Sequence, residues 1–297
     1  MSNQYPGGFI TKSPVAPTSS AASGMWTLDQ AMQNKQAGNW PVPLLPPFNL
    51  GASSDGGVNT FRTLGVDPVY NYLYVSDSQD PDSSMTRYSI DVDGSLFGGT
   101  TISTSTATVP KRQVAFQPPS SAQAIITGYA TGSYAFYSSR SNMFGTATGV
   151  YLGSEFQSFN PWACAYTSPS LMVVSGNNPG AVSPYPSGEG IVVVNLATSE
   201  LKGVVLSNMG STGLTSGLAY DPGAKRLYVG LDANATNSGL INVYSVNNPT
   251  NYTTMSFTFI EQIDTGFGRC IEAIGCGTNY LWYGGNNYAN IRRCARS

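Results

Sequence analysis

Short apolar stretches recur along the chain after about residue 60, and each is bounded by polar turns. Stretches such as Leu73–Val75, Leu171–Val174 and Ile191–Val194 lie between segments rich in Gly, Ser, Asn and Pro. Apolar runs of this length between turn residues are typical of β-strands, and they are far too short to cross a membrane. The pattern therefore predicts an all-β body.

These stretches repeat in a fixed order. A unit opens with a small residue, an aromatic residue and a turn, as in Ala219–Pro222. It continues with a strand that ends in Gly or Ser, as in Leu227–Gly230, and a third strand, as in Ile241–Tyr244. The units start at Gly65, Ala115, Ala165, Ala219 and Ala273. A fourth strand follows in the first four units, and four short strands repeating about every 50 residues are typical of a propeller blade.

The spacing predicts a five-bladed β-propeller over residues 51–297. The fifth unit has room for only three strands before Ser297. Since a propeller closes into a ring, we expect its missing outer strand to come from about residues 48–60. A β-sandwich or jelly roll is the alternative, but the recurring Asp-Pro and Leu-Tyr-Val segments favour the propeller.

The first 50 residues have a different composition and predict an extended arm. Pro, Ser, Thr and Ala dominate residues 2–24, and Pro41, Pro43, Pro46 and Pro47 predict a stiff connector. Between them, Thr27 as N-cap and Gly38 as terminator predict a short helix over about 27–37. Six apolar side chains are the candidate partner-binding residues of the arm: Phe9, Ile10, Trp26, Leu28, Met32 and Trp40. The alternative is that the tryptophans fold back on the body.

Charge and composition exclude several classes of function. The chain has no histidine, which excludes Ser-His-Asp and Cys-His catalysis and His-ligated metals. Charged residues make up 10% of the chain and the net charge is −2, so no nucleic-acid partner is expected. The N-terminus lacks the pattern of a signal peptide, and no membrane partner is expected. The four cysteines are expected to be free thiols, with a Cys270–Cys294 bridge as the alternative.

The acidic residues offer few catalytic candidates. Asp67 and Asp221 stand before proline at equivalent positions of the repeat, which is typical of turn formers. Glu272 aligns with the apolar residues Leu64, Val114, Cys164 and Leu218 and lies near Arg269. An ion pair is the favoured interpretation of Glu272, and a catalytic acid is the alternative. We therefore expect no catalytic residue and no cofactor.

Two acidic loops are candidates for calcium binding. One contains Asp77, Asp80 and Asp82, and the other is Asp91–Gly94. Neither has the closing glutamate of an EF-hand, so solvated turns without metal are expected. The long loops 138–149 and 177–190 are the candidates for a binding surface.

Two resemblances follow from these segments. The repeats Leu73–Ser76 and Arg226–Gly230, each after an Asp-Pro turn, resemble blades of YVTN- and NHL-type propellers, which include enzymes and binding modules. The segments Tyr5–Pro14, Ala22–Gln30 and Asn39–Pro41 resemble the N-terminal arms of structural proteins from tailed bacteriophages, especially those of cyanobacteria.

The arm resemblance implies a non-enzymatic virion component. Residues 1–50 would anchor the chain to other virion proteins, and the propeller would be displayed as a tail appendage or capsid decoration. The oligomeric state would be imposed by virion symmetry, and the protein would be made in the host cytoplasm. The alternative is a propeller that binds or cleaves carbohydrate, with a host-surface glycan as its partner.

Overall fold

The computed structural model of the chain describes fifteen parts of the sequence. These are residue 17 and residues 28–36, 44–49, 61–77, 84–103, 111–117, 124–128, 133–137, 148–151, 160–178, 188–208, 215–231, 239–266, 271–285 and 290–296.

One helix and twenty strands lie in this described part. The helix is α1 (Leu28–Gln36), and it lies within the predicted segment 27–37. The strands are β1 (Leu44–Asn49), β2 (Phe61–Asp67), β3 (Tyr72–Asp77), β4 (Ser84–Ile90), β5 (Leu96–Ser103), β6 (Lys111–Phe116), β7 (Ala124–Gly128), β8 (Ser133–Tyr137), β9 (Thr148–Tyr151) and β10 (Asn160–Ser168). The chain continues with β11 (Leu171–Asn178), β12 (Gly188–Asn195), β13 (Glu200–Val204), β14 (Thr215–Asp221), β15 (Arg226–Leu231), β16 (Leu240–Asn247), β17 (Ser256–Asp264), β18 (Ala273–Cys276), β19 (Tyr280–Gly284) and β20 (Asn290–Ala295).

The described strands form five four-stranded antiparallel sheets. Sheets 1 to 4 are β2–β5, β6–β9, β10–β13 and β14–β17, each in chain order. Sheet 5 has the order β18-β19-β20-β1, so it combines the C-terminal strands with the first strand of the chain. The all-β prediction is confirmed.

The sheets are arranged as in a β-propeller. Each innermost strand packs beside the innermost strand of the next sheet, in the order β2, β6, β10, β14, β18 and back to β2. Side chains also join neighbouring sheets: Gln117 Nε2 donates to the carbonyl of Pro169 at 2.6 Å, and Lys202 Nζ to that of Thr253 at 2.9 Å. The five inner strands therefore surround a central channel.

The strand that completes sheet 5 lies earlier than predicted. β1 pairs with β20, with Leu44 opposite Cys294 and Asn49 opposite Asn290. The expected segment 48–60 shares only its first two residues with β1, and the boundary at residue 50 falls after the strand rather than before it. The prediction took Pro46 and Pro47 as connector, whereas the register shifts between Leu45 and Phe48 and accommodates both in an outer strand.

The structure shows why the second strand of each unit ends in Gly or Ser. A Cβ added to Gly230, at the end of β15, would collide with the carbonyl oxygen of Ile271, just before sheet 5. Ser175, in the corresponding strand of sheet 3, is fully buried. The Gly-or-Ser ending of the repeat therefore lets adjacent sheets approach closely.

Large aromatic and aliphatic side chains fill the space between the sheets. Trp282, Tyr74, Tyr228 and Tyr244 are among the largest fully buried side chains. No helix in the described part of the chain is long and apolar enough to cross a membrane.

Candidate functional site: the mouth of the central channel

A cavity of about 250 Å³ opens where the inner strands turn into the second strands. All five sheets contribute to it, and we call it the channel mouth. Its lining includes Val66, Pro68, Gln113, Phe116, Gln117, Tyr166, Tyr220, Asp221, Pro222, Gly223, Cys276, Gly277, Thr278 and Arg296.

The buried amide of Gln113 lies across the channel and forms the floor of the cavity. Its Nε2 donates to the carbonyl of Leu218 and, at 3.1 Å, to that of Ile274, so strand β6 is bonded to β14 and β18. Neither of these strands is the neighbour of β6 in the ring. The channel mouth is therefore a blind pocket above this amide.

The strand register corrects the alignment of the repeat at this level. Gln113 pairs with Thr127, which directly precedes Gly128, the last residue of β7. In the same way, Leu218 pairs with Val229, which directly precedes Gly230. Leu64, Cys164 and Ile274 occupy the same position in their sheets. The residues equivalent to Leu64, Cys164 and Leu218 are therefore Gln113 and Ile274, and not Val114 and Glu272 as the sequence predicted.

An ion pair between Asp221 and Arg296 forms one side of the mouth. Arg296 Nη1 lies 3.1 Å from Asp221 Oδ2, and the Asp221 side chain is only 2% exposed. Asp221 Oδ1 accepts from the amide of Gly223 at 2.9 Å. Two hydrogen bonds to the turn 277–279 fix the position of Arg296. Its backbone amide donates to the carbonyl of Asn279, and its Nη1 donates to the carbonyl of Gly277, both at 3.1 Å.

The turn-forming role of both Asp-Pro aspartates is confirmed. Asp67 Oδ1 accepts from the amide of Val69 at 2.9 Å, as Asp221 does from Gly223. Asp67 is fully buried, but only Asp221 lines the channel mouth.

The thiol of Cys276 lies beside the same guanidinium, with Sγ 3.9 Å from Arg296 Nη1. Burial raises the pKa of Cys276 to about 12, the charge of Asp221 adds to this, and Arg296 opposes it. Because the thiol stays protonated at neutral pH, Cys276 is unsuited to act as a nucleophile.

Aromatic side chains also line the mouth. Phe116 and Tyr166 come from β6 and β10, and Tyr166 is only 3% exposed. The half-buried Tyr220 precedes Asp221, and burial, with a further contribution from Asp221, raises its pKa to about 12. Its hydroxyl therefore remains neutral and can donate a hydrogen bond.

Several polar groups of the channel mouth have no partner among the described residues. These are the hydroxyls of Tyr220 and Thr278 and the Nε and Nη2 atoms of Arg296. The mouth therefore combines apolar walls with hydrogen-bonding groups that are open to a ligand.

Glu272 lies away from the channel mouth. It precedes β18 at the opposite end of the inner strand from the turn 277–279, and its side chain is half-buried. Its predicted partner, Arg269, lies outside the described residues. Glu272 thus has no place in this cavity as a catalytic acid.

The carboxylates of the acidic loop Asp91–Gly94 accept hydrogen bonds from nearby backbone amides. Asp91 Oδ1 accepts from the amide of Val92 and Asp93 Oδ1 from that of Ser95, both at 2.7 Å. Arg293 Nη1 donates to the carbonyl of Asp93 at 2.9 Å, which joins this loop to sheet 5. Asp77 ends β3, whereas Asp80 and Asp82 lie outside the described residues. Among the residues that the structure describes, no group of three or more potential metal ligands occurs.

The thiols and arm residues are described only in part. Cys164, Cys276 and Cys294 are free, and Cys270 lies outside the described residues. Met32 on α1 is 51% exposed, and Leu28 is the first residue of that helix. The other candidate arm residues, Phe9, Ile10, Trp26 and Trp40, lie outside the described part, as do the loop segments 138–147 and 179–187.

Sequence reasoning missed Gln113 and Arg296. Gln113 was hidden because the repeat was aligned on its small and aromatic residues instead of on the end of the second strand. That second alignment places one amide among Leu64, Cys164, Leu218 and Ile274. Arg296 gave no signal, since its role depends on β20 ending beside a turn of sheet 4.

Comparisons with known proteins show likeness at the level of overall structure. No protein-family model and no curated protein sequence matches the chain. The chain is similar to a luciferin-regenerating enzyme, with 12% identity, 80% of this chain and 73% of that chain covered, and a TM-score of 0.45. It is also similar to the Cps50 (Swd1) β-propeller domain of Myceliophteria thermophila, with 8% identity, coverage of 86% and 100%, and a TM-score of 0.49. Hydrazine synthase of Kuenenia stuttgartiensis has 11% identity, coverage of 79% and 71%, and a TM-score of 0.42.

Proposed function

We propose that this chain is a non-enzymatic structural component of a tailed-phage virion. The part of residues 1–50 that precedes β1 anchors it to another virion protein, and a five-bladed propeller is displayed as a tail appendage or capsid decoration. The number of copies is set by the symmetry of the site that receives the arm.

The exposure of α1 is the observation that carries the proposal. Met32, the second apolar residue of the helix stripe, is 51% exposed, and Asp29, Gln30 and Gln33 are exposed around it. An apolar side chain on a short helix outside the sheets suits contact with a partner, because a helix of nine residues is marginal on its own. The resemblance of the surrounding sequence to phage arms supports the same role.

The arm is connected directly to a strand of the propeller. Only residues 37–43 separate α1 from β1, the outer strand of sheet 5. A load on the arm therefore passes into a strand that pairs with β20 near both of its ends, at Leu44–Leu45 and at Phe48–Asn49.

The test is incorporation of the purified full-length chain into particles that lack this component. We expect the double variant Trp26→Ala/Leu28→Ala to lose incorporation, because it removes apolar anchors of the arm. Gln33→Ala, an exposed substitution on the same helix, serves as the matched control and is expected to incorporate normally. Circular dichroism checks that every variant keeps a folded body.

Normal incorporation of the folded double variant would contradict the proposal. The propeller itself would then make the contact, and the arm would need another explanation.

A further inference from the structure

We propose that the channel mouth is a binding site for one neutral sugar residue. The inference rests on this cavity alone and is independent of what the arm binds.

The shape of the cavity limits the ligand to a small one. The Gln113 amide closes the floor, since it is bonded to the carbonyls of Leu218 and Ile274. The volume of about 250 Å³ is below the usual range of about 300–1,000 Å³ for drug-sized ligands. A single pyranose ring entering from the open end suits such a pocket, whereas an extended oligosaccharide would leave its other rings in solvent.

The charges in the lining favour a neutral ligand. Among the lining residues that the structure describes, Asp221 and Arg296 are the only ones with charged side chains, and they form an ion pair at 3.1 Å. A ligand carboxylate would meet the buried Asp221 carboxylate at the same site. An uncharged ligand avoids this repulsion and leaves the ion pair intact.

The polar groups of the channel mouth that have no partner among the described residues are suited to hydrogen bonds with ligand hydroxyls. Arg296 Nε and Nη2 only donate hydrogen bonds, whereas the hydroxyls of Tyr220 and Thr278 both donate and accept them. A compact ligand that offers both donors and acceptors, as a sugar ring does, can satisfy all of them. The apolar wall of Val66, Pro68 and Phe116 suits the C–H face of the same ring.

A free monosaccharide and the terminal residue of a polysaccharide present the same chemistry. Titration calorimetry with the full-length chain would compare glucose with glucuronic acid and galactose with galacturonic acid. We expect at least one neutral sugar of these pairs to bind, and its acidic counterpart to bind at least tenfold more weakly. An oligosaccharide ending in the binding sugar separates the two sources, since equal or tighter binding identifies a chain terminus.

Variants locate the site. Tyr220→Phe and Thr278→Val each remove one hydroxyl, and each is expected to weaken binding about three- to tenfold, the usual value of one hydrogen bond. Tyr70→Phe is the matched control, because Tyr70 is 51% exposed and lies outside the channel mouth. Its affinity should equal that of the unmodified chain.

Three results would overturn the proposal. These are no binding of any neutral sugar at millimolar concentration, tighter binding of the uronic acids, and binding that Tyr220→Phe and Thr278→Val leave unchanged. None of them bears on particle incorporation, which tests the arm.

Discussion

At the scale of single residues, the channel mouth depends on an amide placed among apolar neighbours. Gln113 occupies the level of Leu64, Cys164, Leu218 and Ile274, and its side chain is only 2% exposed. A buried amide without partners would cost free energy, but this one is bonded to two strands on the other side of the ring. It therefore contributes both to stability and to the depth of the pocket.

Gln113→Ala tests this contribution. The substitution leaves the buried carbonyls of Leu218 and Ile274 without their donor, so the free energy of unfolding should fall by about 1–3 kcal/mol. Urea denaturation measures it. Gln33→Ala makes the same change on the exposed face of α1 and should stay within about 0.5 kcal/mol. Equal stability of the two variants would contradict a structural role for the cross-channel bonds.

The Asp221–Arg296 ion pair provides a second test at this scale. Asp221→Asn keeps an oxygen for the Gly223 turn bond but removes the charge that faces Arg296. Because the Arg296 side chain is 28% exposed and can be partly hydrated, we expect a loss of only about 1–2 kcal/mol.

Asp264→Asn is the matched control for this variant. Asp264 Oδ1 accepts from the amide of Gly266 at 2.9 Å in the same kind of turn, and its side chain is exposed. Thermal unfolding of both variants separates the ion pair from the turn bond. A loss as large for Asp264→Asn as for Asp221→Asn would assign the effect to the turn.

The buried thiols predict how stability depends on pH. Burial raises the pKa of Cys276 and Cys294 to about 12, with smaller contributions from Asp221 and Cys276 respectively. The unfolded chain loses these protons near pH 9, whereas the folded chain keeps them. The contribution of each thiol to the free energy of unfolding is therefore complete below about pH 9, and between about pH 9 and pH 12 it falls by about 1.4 kcal/mol per pH unit.

Urea denaturation at pH 8, 9 and 10 in the presence of a reductant measures this slope. Cys294→Ala removes one of the titrating groups and should give a shallower slope, even though its stability at pH 8 is lower. A slope that is unchanged by Cys294→Ala would show that this thiol does not titrate differently in the two states.

At the scale of strands, the repeat encodes how closely the sheets approach. Gly230 at the end of β15 faces the carbonyl of Ile271, and a methyl group there would collide with it. We expect Gly230→Ala to lower the free energy of unfolding by about 1–3 kcal/mol through overpacking. In Gly277→Ala the new methyl group would lie 3.4 Å from its nearest neighbour, an ordinary contact, so this variant is the control. Calorimetric melting temperatures compare the two.

The strand pattern was predictable because it is local. A short apolar run bounded by turn residues specifies a strand wherever it packs, and the order of strands in each unit followed from the repeat. The register of β6 and β18 did not follow, since it depends on which residue of the neighbouring strand each one faces. The strand β1 was missed for a related reason: Pro46 and Pro47 look like a connector until the unpaired edge of β20 provides a place for them.

The candidate site was less predictable than the strands. Asp221 was recognised from its Asp-Pro turn, but its ion pair with Arg296 joins residues that are 75 positions apart in the chain. Gln113 becomes notable only when the sheets are aligned through their second strands. Contacts of this kind arise from closure of the ring, which no local pattern encodes.

At the scale of the whole molecule, the strand β1 both completes the ring of sheets and connects it to the arm. The partners of β1 place Leu44 opposite Cys294, near the end of β20 that leads to Arg296. The turn 277–279 lies at the same end of sheet 5, and Gly277 and Thr278 line the channel mouth. The arm therefore joins the ring on the face that carries the channel mouth.

This arrangement predicts different outcomes for two truncations that differ by six residues. A chain of residues 44–297 keeps β1, so it should melt as the full-length protein does while failing to enter particles. A chain of residues 50–297 exposes the backbone edge of β20, whose Ile291 and Cys294 side chains are buried. Loss of this strand removes a row of backbone hydrogen bonds and leaves an open strand edge that favours aggregation. We expect it to melt at a lower temperature and to associate in size-exclusion chromatography. If both truncated chains melted alike, β1 would be part of the arm and not of the ring.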